Sequence, residues 1–394
     1  MKYFEILEPF SEKGEARCYI DNQIKLVQRG DLIDPGGYCT YKYHPEIGAL
    51  SGDVLAAELI PEVEPVALSP EIKSATSMIK PYIKSLSTAV VDPSISLADL
   101  LPEKILLSFY SRREQAVLRF LREHNIEESS NYVHFSQVEN LLFEISKRMV
   151  EFNQKKIRSE KQLSIIRSRQ RFVKYDSKKT VTGRLSTKKG SFPIMTLSAK
   201  DRAFIKPTND MFIEFDFNAA ELRALLYFSG NQQPQQDIHQ WNLKNVWTTS
   251  DLCRKSAKER FFAWLYNPNS VDHKLEVFYN KRAHLKHYKA GIIHTPFGRK
   301  IRVDQDRSLN YLLQSTSSDV NLEQAVKVDS MLRGKKTFVK FLMHDSLVLD
   351  VSSQDLGLMH QLYDLFGNTR LGKFMVNVSH GRDYSNMRSL KWKI

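Results

Sequence analysis

Two aspartates in this chain stand where a hard cation could be held. Asp216 closes the apolar run Met211-Phe-Ile-Glu-Phe-Asp216, and the hydrophobic periodicity changes from strand-like to helical near Ala219. Its carboxylate therefore sits where a strand gives way to a helix, and could bind Mg²⁺ there with help from backbone carbonyls and water. An acid ahead of a helix is also a common N-cap, and Asp216 taken alone leaves both uses open. Asp345 interrupts a second apolar stretch, Phe338-Val-Lys-Phe-Leu-Met-His-Asp345-Ser-Leu-Val-Leu-Asp-Val351, whose halves read as a hairpin with His344, Asp345 and Ser346 at its tip. Adjacent His and Asp in so apolar a setting are costly unless solvated or coordinated, which favours a site over an ordinary turn. A third pattern is Arg254, Lys258, Phe262 and Tyr266, spaced four apart, so each step advances about 40° around a helix and all four share one side. The cations could grip a triphosphate while the aromatic ring packs on a base; an amphipathic surface helix with an aromatic core stripe is the alternative.

The elements that must carry these residues follow from composition and periodicity. A length of 394 residues exceeds what one core usually serves, and 42% hydrophobic with 26% charged residues excludes disordered and fibrous chains. The net charge is +13, the sign of a partner for polyanions. Basic residues from Lys155 to Lys189, among them Lys174, Lys178, Lys179 and Arg184, crowd one stretch. They could neutralise backbone phosphates; a solvated helix face is the other reading. Residues 1–60 are expected to form a small strand-rich unit of unassigned role, and 61–99, with Pro61, Pro65, Pro70 and Pro81, an extended linker. Helices follow, one started by Pro102 and a second at Ser136, whose capping box Ser136-Gln-Val-Glu139 and apolar stripe predict a long arm running into the basic segment. No run of about eighteen apolar residues and no signal peptide is found, so the expectation is a cytoplasmic protein that is not secreted and has no membrane partner. Cys18, Cys39 and Cys253 lack the paired spacing of a zinc site.

Taken in order, these segments resemble family A DNA polymerases, the DNA polymerase I class, in a compact, phage-like form. Thr182-Gly-Arg184-Leu-Ser186 is similar to the family's TGRLS segment, Asp216-Phe-Asn-Ala-Ala-Glu221-Leu-Arg223 to motif A, and Asp237-Ile-His239 to the DIH that follows it. Arg254, Lys258, Phe262 and Tyr266 resemble motif B, Gly298-Arg-Lys300 the GRR after it, Gln314-Ser-Thr316 the QGT segment, His344-Asp345 motif C, and Val376–Tyr384 the closing strand. The resemblance spans about residues 178–385. It implies an α+β right-hand fold: a helical thumb over 100–177, a mixed palm over 178–235 and 297–394, and helical fingers over 236–296. It further implies two Mg²⁺ ions, with Mn²⁺ as a substitute, on Asp216, the Phe217 backbone carbonyl and Asp345. By the same resemblance His239, Arg254 and Lys258 would contact phosphates, Phe262 and Tyr266 would shape the base-pair pocket, and Glu221 would exclude a ribose 2′-hydroxyl. Arg184, Arg223, Gln314 and His344 would meet the primer–template duplex, with dNTPs as substrates and room for a separate exonuclease or processivity subunit.

The departures are specific. Ser346 stands where the family usually has Glu, and single-subunit phage-type RNA polymerases carry His-Asp-Ser there, which keeps an RNA-polymerase or primer-making reading open. Glu221 and Phe262 are the DNA-polymerase choices at the positions expected to select the sugar. Residues 1–100 contain no Asp-x-Glu exonuclease motif, so proofreading is not expected from this chain. A non-catalytic DNA-binding protein of polymerase fold is the remaining rival.

Overall fold

Short β-prone runs open the chain. In the computed structural model, β1 (Phe4–Ile6), β2 (Glu15–Ile20), β3 (Gln23–Gln28) and β4 (Cys39–Tyr41) form a sheet in the order β3-β2-β1-β4. The structure describes residues 4–8, 11, 13, 15–28, 39–41, 70–88, 97–123, 130–168, 170–177, 179–248, 252–267 and 269–390. It divides into two units, 1–140 and 141–394. In the first, α1 (Pro70–Thr88) and α2 (Glu103–Glu123) pack together, and Arg113 of α2 donates to Glu5 of β1 at 2.8 Å with both side chains buried.

The helix α1 corrects the extended linker expected over 61–99, of which 61–69 and 89–96 lie outside the described residues. Pro70 occupies the first turn, where its missing N–H costs nothing, and Ala75 and Ile79, four apart, are buried. The arm expected to start at Ser136 is corrected at both ends. Helix α3 spans Ser130–Ser146; no Gly or Pro separates Ser130 from Ser136, so the helix starts earlier. It stops short of the basic segment because tertiary bonds take the backbone over: the Arg148 guanidinium donates to the Val339 carbonyl at 2.5 Å and Lys340 Nζ to the Met149 carbonyl at 2.8 Å. Glu151–Phe152 then pairs with Ile205–Lys206.

The second unit is organised by an antiparallel sheet of β5 (Met211–Phe217), β6 (Phe338–Met343), β7 (Ser346–Val351), β8 (Val376–Gly381) and β9 (Arg388–Ser389), in the order β6-β7-β5-β8-β9. The period of two divides β5 cleanly. Phe215 and Phe217 turn to helix α7 (Met359–Gly367), where Phe217 stacks on Phe366 with ring centres 4.3 Å apart. Phe212, on the other face, meets Phe341 and Tyr384. The other helices of this unit include α4 (Ala220–Phe228), α5 (Arg254–Tyr266) and the long α6 (Gln305–Met331), which packs on α4 and α7. Among the described residues no helix is long and apolar enough to cross a membrane.

Candidate active site

Pairing on both sides of β5 puts Asp216 at the end of the central strand, opposite Ser346 of β7 and Asn377 of β8. The β6–β7 tip is held from below: His344 takes a left-handed φ of 52°, Asn321 of α6 donates to its carbonyl at 3.2 Å, and the Phe217 N–H donates to the Asp345 carbonyl at 3.3 Å. Asp216 does not cap the following helix. Ala219, at φ 57°, is the N-cap residue of α4, and the Asp216 carboxylate instead accepts from Asn377 Nδ2 at 3.2 Å.

Neither aspartate has an ion pair among the described residues. Burial, the charge of Asp345 and that of Glu214 push the Asp216 carboxyl up to about 7, against the bond from Asn377. Burial likewise raises Asp345. Two acids desolvated together without a direct ion pair, Asp345 having only the nearby charges of His344 and Arg184 in its favour, suit an external cation. No group of three or more His, Cys, Asp or Glu side chains able to hold a metal occurs among the described residues. Mg²⁺ does not need one, since it commonly takes one or two carboxylates and fills its shell with water and substrate phosphate oxygens. The hard oxygens of Asp216 and Asp345, with the neighbouring Phe217 carbonyl, fit that ion.

A cleft of about 280 Å³ opens beside Asp345, lined among others by Arg184, Glu221, Phe262, Tyr266, Ser317, Ser318 and His344. Its far wall is α5, which buries Ala257, Phe261, Trp264 and Leu265 and leaves Arg254, Lys258 and Tyr266 exposed and Phe262 half-buried on the other side. The Phe262 and Tyr266 rings lie parallel, 5.7 Å apart. Glu221, in the first turn of α4, accepts from the Tyr266 hydroxyl and from Arg184. Arg254 forks onto Asp237 at 2.6 and 3.1 Å. Burial works against the Asp237 charge, but bonds from Arg254, Asn218 and the Gln240 N–H outweigh it and hold the carboxyl well below the usual range.

Other residues singled out from the sequence fall elsewhere. Arg223 is completely buried, donating to the carbonyls of Asn218, Pro234 and Gln236 at 2.7–3.0 Å, and burial pulls its pKa down to about 10. It is therefore corrected from a duplex contact to an internal brace of the 234–236 segment. His239 is only 3% exposed and its Nδ1 has no hydrogen-bond partner; burial lowers its pKa to about 4, so it is neutral near pH 7, with its ring 6.3 Å from that of Phe262. Gln314 is half-buried on α6, while Lys174, Lys179 and His344 are exposed. Lys178 lies outside the described residues.

Sequence reasoning passed over three supports. Asn377 bonds Asp216, as above. Asp319 of α6 grips Arg299 in a two-pronged pair at 2.8 and 2.9 Å, and that guanidinium packs on Gly183, where an added Cβ would lie 2.4 Å from Arg299 Cζ. With φ 74° at Gly183 and a bond from Ser318 Oγ to its carbonyl at 3.0 Å, this latch aims the neighbouring Arg184. The third is Glu214, two residues before Asp216 on an otherwise apolar strand, a spacing that places both acids on one face.

Comparison with known proteins bears on this arrangement. No family model matches the chain. A DNA polymerase of Mycobacterium phage L5 is 23% identical over 198 residues, covering 41% of this chain. The chain spans about a third of the length of that curated relative, 32%. The POL domain of Pol1 from M. smegmatis, solved in complex with DNA primer-template and dNTP, superposes with a TM-score of 0.59 at 12% identity, covering 98% of this chain and 96% of that one. The chain thus has the fold of a polymerase domain.

Proposed function

We propose that the chain is a template-directed DNA polymerase of the family A type, extending a primer 3′-hydroxyl with dNTPs, in a thumb, palm and fingers layout and in a viral setting. The observation that carries this reading is the pairing of two desolvated carboxylates without ion pairs, Asp216 and Asp345, with a cleft beside Asp345 that Arg184 and the stacked Phe262 and Tyr266 rings line. The polymerase fold and the phage polymerase relative support it.

In this reading Asp216, Asp345 and the Phe217 carbonyl hold Mg²⁺, or Mn²⁺ in its place. Bound ions of this kind lower the pKa of an attacking hydroxyl and offset the charge of a triphosphate. The remaining work falls to the chain's own side chains. Lys258 and Arg254 bind triphosphate oxygens, Arg254 exchanging Asp237 for phosphate, and neutral His239 donates one hydrogen bond. Phe262 and Tyr266 stack against the incoming base pair. Glu221, fixed by the Tyr266 hydroxyl, crowds a ribose 2′-hydroxyl. Arg184, Gln314 and His344 meet the primer–template, and Lys174, Lys178 and Lys179 its phosphates, which position the duplex while pairing supplies the sequence. No proofreading activity belongs to this assignment, and an exonuclease or processivity factor would be a separate partner.

Primer extension with Mg²⁺ tests it. The natural chain is expected to extend with dNTPs and poorly with rNTPs, and Asp345→Asn to lose at least about a hundredfold in rate, the scale of losing one preorganised electrostatic group. Equal activity of the two chains would remove the metal assignment, and preferential use of rNTPs the sugar assignment.

A further inference from the structure

Glu214 shares a face of β5 with Asp216 and is the third carboxylate at this end of the sheet. One of its oxygens accepts from Ser346 Oγ at 2.8 Å and from the Tyr384 hydroxyl at 3.0 Å, and the other from Ser379 Oγ at 3.3 Å. All three donors are neutral, and no ion pair to Glu214 is formed among the described residues. A carboxylate offers about four acceptor sites, so three donors leave about one for a water molecule belonging to a bound ion.

The partner that reaches Glu214 most closely is Ser346, which follows Asp345 and lies directly opposite Asp216 in the ladder. This is the position at which the resembled family carries Glu. The acid missing from β7 is thus matched by one on the adjacent strand, and its carboxylate touches the side chain that took the missing acid's place. Glu214 acts electrostatically on both Asp216 and Asp345, so it lies within reach of an ion that those two would hold.

We propose that Glu214 supplies the third negative charge of the metal site, acting as a positioning residue that replaces, from the strand of Asp216, the acid absent at Ser346. The proposal rests on the polymerase reading for the ion's presence, and it is tested by metal binding and not by turnover. Free Mn²⁺ is followed by electron paramagnetic resonance during titration of the full chain, without DNA or nucleotide, and thermal unfolding checks that each variant is folded. Glu214→Gln is expected to weaken Mn²⁺ binding about tenfold or more, the range for outer partners of a metal site. Ser346→Ala, which keeps the charge, should lose clearly less, and combining Glu214→Gln with Ser346→Glu should restore most of the affinity. The proposal is overturned if Glu214→Gln binds as the natural chain does, if Ser346→Ala loses as much as Glu214→Gln, or if the double variant stays weak. Should Glu214→Gln not fold, the double variant decides: natural affinity supports the assignment and an affinity about tenfold weaker overturns it. Absence of Mn²⁺ binding by the natural chain would remove the metal reading together with this one, before any variant is compared.

Discussion

Asp216 and Asp345 are fixed by strand ladders and by backbone bonds beneath the hairpin tip, whereas Arg254, Lys258, Phe262 and Tyr266 project from one face of a helix whose other face is buried. The two sides also differ in charge balance. Neither acid has an ion pair among the described residues, the charges of His344 and Arg184 acting on Asp345 only from nearby. Of the cations, Arg254 is clasped by Asp237, and Arg184 by Glu221. In the proposed reading the acid side is therefore preorganised for a cation. In the same reading the basic side must exchange protein carboxylates for the phosphates of an incoming polyanion, a competition at partly exposed pairs, each worth little by itself.

Lys258 is the exception on the basic side, and replacing it breaks the comparison most directly. It is exposed and has no ion pair among the described residues; its Nζ lies 6.0 Å from the Phe262 ring centre. It needs no exchange before meeting phosphate. Lys258→Ala is expected to lower the rate of single-nucleotide addition about a hundredfold with little change in duplex affinity, measured by pre-steady-state extension and by equilibrium DNA binding. A similar loss in both measurements would make it a general phosphate contact and place it with the exchanging cations.

Arg223 sharpens the same contrast from inside. It is a cation whose partners are carbonyls and an amide, not acids, and it never reaches the cleft. Arg223→Met should cost about 2 kcal/mol or more of stability by stranding buried carbonyls, read from denaturant unfolding. The salt dependence of DNA binding should stay as it was, because no phosphate contact is removed. A shallower salt slope in Arg223→Met would instead return this residue to the interface.

That burial was within reach of the sequence. Glu221 and Arg223 are two apart on one helix, so their side chains diverge by about 200°, and placing Glu221 at the cleft already turns Arg223 inward. The strand–helix junction at Ala219 and the α5 face were legible for the same reason, being set by local periodicity. The end of α3 was not, since it depends on Val339 and Lys340, roughly 190 residues away. Nor was the Gly183–Arg299–Asp319 latch, which joins three segments distant in sequence. The exclusion of Asp216 from capping duty needed the left-handed Ala219, a conformation alanine rarely takes and no propensity announces.

The acid side can be tested without substrate, through stability as a function of pH. Asp216 has a usual value of 3.8 and sits near 7 in the fold. Between those values the folded chain keeps a proton that the unfolded chain has released, so stability falls as pH rises. The contribution of protonated Asp216 is intact below about 4 and gone above about 7. In metal-free buffer the melting temperature of the natural chain should therefore decline across that window relative to Asp216→Asn, whose neutral amide removes this titration. Mg²⁺ should raise the melting temperature of the natural chain more at pH 8 than at pH 5, because ion binding needs the ionised carboxylates and competes with protons for them. Parallel profiles for the two chains would mean that Asp216 is not held against its charge. The preorganised, cation-awaiting character of the acid side would then have to rest on Asp345 alone.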